Sequence, residues 1–243
     1  SSTLKTLTLS QFSITEPLYY FKPELFLHIS FNYYELKFIL MKLSHILYKS
    51  NNLSKSVQQF QNEGFKVQYG MKHNSKNALI YFSKGPYIEI LEKAPISNFL
   101  MMILRWIDKT HLVKRFKTWE NAHEGYFDIC LENYEDDFNK EIEILNEHKE
   151  QYFITKSSRL DPSNRLLKWK LLFPKNINLP FFMTYFNIDP KPKNFIHPNG
   201  IKRINKVSYS IDNSLILIFK KLCDDKTIQL TNQKGTMNVS FKK

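Results

Sequence analysis

The order of apolar patterns along residues 43–91 constrains the fold more than any other feature of the sequence. The segment opens at 43–48 with side chains that alternate between two faces, as they do along a strand. Apolar side chains then recur at helical spacing, so the sequence predicts a helix over 53–63. Gly64 follows at the position where helices commonly end in a left-handed residue.

Three further strands are predicted after this helix. Residues 65–69 alternate between apolar and polar, which indicates a half-buried strand. A polar loop at 70–76 leads into strands at 77–82 and 87–91, and the residues between these two strands, 83–86, have the composition of a turn. The segment is therefore predicted to fold as strand, helix, strand, strand, strand.

Two residues with metal-ligand chemistry lie on the first and last of these strands. Glu89 stands between Ile88 and Ile90, and burying an unpaired carboxylate is costly or raises its pKa until it is neutral. A metal ion, an Arg or Lys side chain, or exposure to solvent would each resolve this. His45 alone is more typical of a hydrogen-bonded structural histidine than of a ligand.

The same order of elements recurs in residues 125–190, after two predicted helices. The helix at 95–107 is strongly apolar, so we expect it in the core or in a homodimer interface, and a basic helix follows at 109–121. The second set of elements is predicted at 126–131 (strand), 136–148 (helix), 151–156, 166–173 and 179–186 (strands). A polar turn at 159–164 joins the strands at 151–156 and 166–173.

The remaining segments lie at the two ends of the chain. Residues 191–243 predict a strand, a helix and two short strands, a partial third module in which His197 is interpreted as a turn residue. Residues 1–40 do not fit the pattern, and are either an accessory segment packed on the domain or on a partner chain, or a start-site artefact. The predicted domains are 1–40 (extension), 41–94 (first module), 95–124 (helical linker), 125–190 (second module) and 191–243 (partial module).

These motifs resemble the vicinal oxygen chelate superfamily, and within it the glyoxalase-like domain group. In the first half a G-x-x-H loop leads into N-A-L-I; in the second an Arg precedes a polar turn, followed by L-x-W-x-L and L-P-F-F. The residues that carry the resemblance are Gly70, His73, Asn77, Ala78, Leu79 and Ile80, with Arg159, Trp169, Leu179, Pro180, Phe181 and Phe182. His45 and Glu89 match the first-strand and fourth-strand ligand positions of the metal-dependent members.

The resemblance implies an α+β fold of paired βαβββ modules, forming a curved half-open sheet around a cavity, with the C-terminal partial module added. It implies His45 and Glu89 as ligands of a divalent ion, which could be Zn, Mn, Fe or Ni, with Glu89 also moving a proton. Substrate binding is assigned to His73, Asn77, Arg159 and Trp169, with Arg159 binding an anion through its planar fork.

The second half departs from the metal-dependent pattern. Its alignment with the first half places Phe127 or Asp128 opposite His45, and Met183, Thr184 or Tyr185 where an acidic ligand is expected. A catalytic metal site normally keeps three protein ligands, so the ligand set is incomplete. Three hypotheses follow: metal-assisted chemistry of the lyase, isomerase or dioxygenase type, metal-free binding or sequestering of a small molecule, and a structural dimer.

The charge and the cysteines limit the partners and the compartment. The formal charge is +12, but the lysines are scattered and no nucleic-acid motif occurs, so a Lys-rich surface is favoured over a nucleic-acid partner. Cys130 and Cys223 form no C-x-x-C pair and suit buried thiols in a reducing cytoplasm. No apolar run is long enough to span a membrane. The predicted partner is a small aromatic or anionic molecule.

Overall fold

A computed structural model describes residues 40–94, 98–106, 109–193, 195–232 and 237–243. The predicted N-terminal extension, apart from its last residue, lies outside these ranges. The elements are β1 (Lys42–Lys49), α1 (Leu53–Asn62), β2 (Gln68–Tyr69), β3 (Asn77–Ile80), β4 (Tyr87–Leu91), α2 (Asn98–Trp106), α3 (Thr110–Glu120), β5 (Gly125–Asn133), α4 (Asn139–Glu147), β6 (Tyr152–Leu160), β7 (Leu166–Pro174), β8 (Phe181–Thr184), β9 (Arg203–Ser210), α5 (Ile216–Leu222), β10 (Ile228–Thr231) and β11 (Val239–Lys242).

The first eight strands form a curled half-barrel sheet in the order β2-β3-β4-β1-β5-β8-β7-β6. In the first half, β1 pairs in parallel with β4, and β3 pairs antiparallel with both β4 and β2. The second half repeats this arrangement, with β5 parallel to β8 and β7 antiparallel to β8 and β6. The halves join through the antiparallel pair β1–β5. The predicted α+β fold of paired βαβββ modules is therefore confirmed.

The two faces of this sheet bury different sets of apolar side chains. The outer face packs Ile46, Ile88 and Phe182 against α1, α4 and the C-terminal elements. On the inner face, Leu47 and Phe181 pack with side chains of α2 and α3 in a second cluster. Because side chains alternate along each strand, one sheet serves both a conventional core and a lined concave surface.

The C-terminal elements form the predicted partial module as a separate three-stranded sheet, in the order β10-β9-β11. β10 is parallel to β9 and follows it through α5, whereas β11 is antiparallel to β9. The module attaches to the start of β1, where the Leu43 amide donates to Asp225 Oδ2 at 2.9 Å. The domain boundaries that the sequence predicts stay a prediction.

Two predicted elements differ in length from the observed ones. β2 begins at Gln68 rather than at residue 65, because the amide of Phe65 donates to Phe60 and that of Lys66 to His197 Nδ1, which takes both out of the sheet. β6 extends to Leu160, so Arg159 lies on a strand and not in the predicted turn. The turn follows it, closed by Asp161, which accepts from the amides of residues 163 and 165.

Smaller sequence predictions also have outcomes in the structure. Gly64 has a φ of +81°, as predicted for a residue that ends a helix. Cys130 and Cys223 are buried free thiols. Met102 and Trp106 of α2 are exposed, and the homodimer that this helix predicts stays a prediction. Within the described ranges, no helix has the length and apolar character needed to cross a bilayer.

Replacing Gly64 by alanine should test how tightly the first module packs against Asn199 of the C-terminal module. A Cβ at this position would lie 2.9 Å from Asn199 Cβ, whereas a Cβ at Gly85, with a similar φ of +78°, meets nothing within 4 Å. We expect Gly85→Ala to cost about 1 kcal/mol from left-handed strain. Gly64→Ala should cost about 1–3 kcal/mol more, because the close contact forces packing to shift.

Urea denaturation of both variants at neutral pH supplies these free energies of unfolding. Equal losses for the two substitutions would show that Asn199 can move away from the added methyl group without cost, so that the packing at Gly64 is not tight.

Candidate functional site

A β-bulge in β1 sets the local geometry of the site. Leu43 pairs with Leu131 and His45 with Cys130, so Ser44 is an extra residue on its strand. Neighbouring residues on a regular strand point to opposite faces, but a bulge re-aims a side chain. Ser44 Oγ consequently lies 3.1 Å from Nδ1 of the adjacent His45.

His45 and Glu89 meet on the inner face of the sheet. Nε2 of His45 lies 3.3 Å from Oε2 of Glu89, and the two side chains are 4% and 19% exposed. The Tyr87 ring, whose residue pairs with His45 across the β1–β4 ladder, stacks on the imidazole with centroids 4.8 Å apart. The strands and the stacked ring therefore hold the two titratable groups against each other.

Asn77 orients the second carboxylate oxygen. Its Nδ2 donates to Glu89 Oε1 at 2.7 Å from the neighbouring strand β3. Asn77 packs directly over Gly70, where any Cβ would collide with the amide, so the glycine permits this close approach. Of the predicted site residues, the structure thus brings His45, Asn77 and Glu89 together: Asn77 is hydrogen-bonded to Glu89, and His45 lies 3.3 Å from it.

Burial shifts the pKa values of both titratable groups toward their neutral forms. Loss of solvation lowers the pKa of His45 to about 3. The same cause raises the pKa of Glu89, and the Asn77 hydrogen bond and the charge of Arg159 oppose that rise in part. A neutral carboxylic acid beside a neutral imidazole is the arrangement that both shifts favour.

This group forms part of the wall of a cavity of about 670 Å³ inside the half-barrel. Most of the wall is aromatic or aliphatic, and much of it comes from the second module and from α3. These apolar lining residues include Phe153, Trp169, Leu171, Phe173, Phe181 and Phe186, with Leu112, Phe116 and Trp119 of α3. Four cationic residues also line it: Lys76, Lys93, Lys156 and Arg159.

Arg159 and Trp169 line the cavity, and His73 does not. Arg159 Nη1 donates to the carbonyl of Gly70, so its side chain joins β6 to the loop after β2, the two ends of the curled sheet. Trp169 is half-buried and packs edge-on against Phe186 at 5.1 Å. His73 is exposed on the loop and lies outside the lining.

The α3 side chains and Tyr87 line the cavity but were not predicted from the sequence as site residues. The helical spacing of Leu112, Phe116 and Trp119 showed an apolar face, but that pattern does not reveal whether such a face covers a core or a cavity. Tyr87 shares a strand face with Glu89, and that alternation was the available signal.

The residue that pairs with His45 in the β1–β5 ladder is neither Phe127 nor Asp128, and the alignment of the two modules stays a prediction. Cys130 pairs with His45, while Asp128 pairs with Leu47 and accepts from Trp119 Nε1 at 2.9 Å. In the first half, β4 places Tyr87 beside His45 and Glu89 beside Leu47. In the second half, β8 places Phe181 beside Cys130 and Met183 beside Glu132. Cys130 therefore lies directly across the ladder from His45, and Met183, one of the three residues predicted for the fourth-strand position, lies beside Glu132.

These donors do not fit a divalent metal site. Cys130 is fully buried, and burial raises the pKa of its thiol well above the ordinary value, which disfavours the thiolate that metals bind. Met183 supplies only a thioether. Among the residues that the structure describes, no three His, Cys, Asp or Glu side chains are grouped so as to hold an ion. His45 and Glu89 alone fall short of three protein ligands.

Comparison with known proteins gives a family and a fold. The glyoxalase-like domain family matches residues 43–214. A hypothetical protein from Staphylococcus aureus is similar in structure over 81% of this chain and 88% of its own, with 18% identity and a TM-score of 0.59. A Streptomyces coelicolor methylmalonyl-CoA epimerase variant in complex with 2-nitronate-propionyl-CoA is 14% identical over 60% of this chain and 96% of its own, with a TM-score of 0.37. Curated proteins gave no match.

Burial of His45 should make the fold sensitive to acid. Its pKa is about 3 in the folded protein against an ordinary 6.5, so between these values the unfolded chain binds more protons and the free energy of unfolding falls as the pH falls. The greatest slope is about 1.4 kcal/mol per pH unit. We expect His45→Gln to flatten the dependence of stability on pH in this window.

Urea denaturation from pH 7 to pH 4 measures the free energy of unfolding of wild type and variant. The raised pKa of Glu89 increases stability as the pH falls, opposite to the effect of His45, so the contribution of His45 is the difference between the two curves. His123→Gln, which replaces an exposed histidine, is the matched control. Parallel curves for wild type and His45→Gln would contradict the assigned effect of burial.

Proposed function

Because the chain belongs to the glyoxalase-like domain family of the vicinal oxygen chelate superfamily, we propose that its half-barrel binds a small apolar molecule bearing an anionic group. We further propose that Glu89 and His45 exchange a proton with that molecule. The observation that carries this proposal is the 3.3 Å approach of His45 Nε2 to Glu89 Oε2 in the wall of an aromatic-lined cavity.

The lining of the cavity supports an apolar anion as the ligand. A volume of about 670 Å³ lies within the range of small-molecule sites, which are mostly apolar with a few placed polar groups. Trp169 and the phenylalanine side chains offer flat surfaces for stacking and burial. Lys76, Lys156 and Arg159 add positive charge, which raises the local concentration of an anion.

The polar group supports general acid–base chemistry. Asn77 holds Oε1 of Glu89, so Oε2 is the oxygen that faces His45 and exchanges its proton. A carboxyl group whose pKa is raised toward neutrality is suited to act as acid or base, and such catalysis contributes about 10²- to 10⁴-fold in rate. In this proposal Glu89 is the catalytic residue, Asn77 orients it, Trp169 stacks on the ligand and Arg159 binds the anionic group. His73 has no role, because it lies outside the lining.

A metal-free sequestering protein is the second candidate. The apolar character of the cavity favours it, and so does the second module, in which Cys130 pairs with His45 and Met183 offers only a thioether. Both candidates bind the same class of molecule. They differ in whether the Glu89 proton is transferred.

Deuterium exchange distinguishes the two candidates. Small molecules that copurify with the full chain are released by denaturation, identified by mass spectrometry and returned to the protein in D₂O. If Glu89 passes its own proton to Nε2 of His45, removes a proton from a C–H bond of the ligand and returns a deuteron after exchange with D₂O, the wild type incorporates deuterium. Glu89→Gln should slow incorporation by about 10²-fold or more, because an amide cannot act as the base.

The matched control is Glu92→Gln, the same substitution just beyond β4 at a residue that does not line the cavity. Binding without exchange in the wild type would favour the sequestering protein. A stoichiometric divalent metal in purified protein, lost in both His45→Ala and Glu89→Ala, would contradict the metal-free mechanism.

The anionic part of the proposal has its own test in 1-anilinonaphthalene-8-sulfonate, a flat apolar probe with one sulfonate. We expect fluorescence titration to show one bound probe per chain. Arg159→Gln should weaken it about tenfold, the effect of losing one hydrogen bond to a charged group. Arg203→Gln, on an exposed residue of β9, is the control. Equal affinities of the two variants would remove Arg159 from the proposed binding site.

A further inference from the structure

Two buried polar residues, Ser44 and Glu132, lie beside the candidate site without lining the cavity. They are 1% and 4% exposed. Ser44 Oγ donates to Glu132 Oε2 at 2.6 Å, the short distance typical of a hydroxyl that donates to a carboxylate. The same Oγ lies 3.1 Å from His45 Nδ1. Glu132, Ser44, His45 and Glu89 therefore form one continuous chain of polar contacts.

The hydroxyl of Ser44 gives this chain a direction. A hydroxyl has one proton to donate, and three neighbours can accept it: the carboxylate of Glu132 at 2.6 Å, Nδ1 of His45 at 3.1 Å if its proton is on Nε2, and the thioether of Met183 at 3.2 Å. The carboxylate is the nearest of the three and the strongest acceptor, because hydrogen bonds to an ionised group are about twice as strong as neutral ones and thioether sulfur accepts only weakly. With its proton used, Ser44 Oγ has only lone pairs to offer His45, so Nδ1 must be the donor.

We propose that Glu132, acting through Ser44, is a positioning residue that keeps the proton of neutral His45 on Nδ1 and so presents the lone pair of Nε2 to Glu89. The inference rests on the proposed function and deepens it. If Nε2 is unprotonated, its lone pair would face a lone pair of an ionised Glu89 Oε2 at 3.3 Å. Oε2 therefore carries the proton of the Glu89 carboxyl group. With the opposite tautomer, Nε2–H would donate to an ionised Glu89, and the acid would have no proton to transfer.

The β-bulge explains how neighbouring residues can cooperate in this way. On a regular strand Ser44 and His45 would point to opposite faces, and no hydrogen bond could join their side chains. The extra residue in β1 brings both to the inner face, and Glu132 reaches Ser44 from the adjacent β5. A serine that only filled space in the core would not need a carboxylate partner, which is costly to bury.

Nitrogen-15 NMR of the full chain labelled in its histidines tests the proposal without any ligand. His45 is one of seven histidines and is assigned by the signal lost in His45→Gln. In the wild type we expect His45 to be the Nδ1–H tautomer, with Nε2 unprotonated. Ser44→Ala should shift the tautomer ratio about fivefold toward Nε2–H, the effect of one lost hydrogen bond. Ser44→Thr keeps a hydroxyl and should restore the wild-type ratio.

Glu132→Gln should shift the ratio in the same direction by a smaller factor, because an amide oxygen is a weaker acceptor than a carboxylate. Ser56→Ala removes another buried serine hydroxyl, one paired with Ser50 rather than with His45, and should leave the His45 signals unchanged. The Nε2–H tautomer in wild type, or an unchanged ratio in folded Ser44→Ala, would overturn the proposal. If circular dichroism shows that Ser44→Ala is unfolded, the His45 tautomer in wild type and its shift in Glu132→Gln test the proposal instead.

The tautomer is read without ligand, so it separates this inference from the proposed function. An Nδ1–H tautomer in a protein that catalyses no exchange would keep the positioning role and remove the proton transfer. Exchange catalysed by a protein with an Nε2–H tautomer would keep the proton transfer and remove the positioning role of Glu132 and Ser44.

Discussion

The antiparallel pairing of β1 with β5 is the contact on which the rest of the domain depends. It joins the two modules into one sheet, and its register decides which residues face the cavity. A slip of one residue would turn every side chain of one half to the other face. The bulge at Ser44 lies in this pairing, so the same contact that closes the fold also shapes the candidate site.

The two modules share a topology but contribute different chemistry. The first supplies the polar group of His45, Glu89 and Asn77, while the second supplies Cys130, which pairs with His45, and Met183, which lines the cavity. Much of the apolar wall comes from the second module and from α3. The duplicated fold thus places a small polar group opposite a broad apolar surface, the composition common to small-molecule sites.

Burial decides which protonation states of this polar group are favoured. His45 and Glu89 occupy positions where water cannot solvate a charge well, and the resulting pKa shifts favour the neutral form of each. The cost is limited because each group has partners: Asn77 and His45 for Glu89, and Ser44 and Glu89 for His45. Satisfied buried polar networks of this kind are rigid, which holds the two groups in fixed orientation.

The sequence by itself determined the elements and their order, because strand and helix periods and turn residues are local properties of the chain. It also identified His45 and Glu89 as a pair worth testing, since a carboxylate within an apolar strand requires a partner. The sequence could not predict the register of β5 against β1, because the ladder shifts twice, at Ser44 and between Leu47 and Tyr48, and no periodic pattern shows such shifts. Three features depend on contacts between residues far apart in the chain. Arg159 joins the two ends of the sheet through Gly70, 89 residues away, and Glu132 reaches Ser44 across 88 residues. Side chains of α3 cover a cavity that both modules line. Such contacts are fixed by the curvature of the sheet and by packing, so only the tertiary structure decided them.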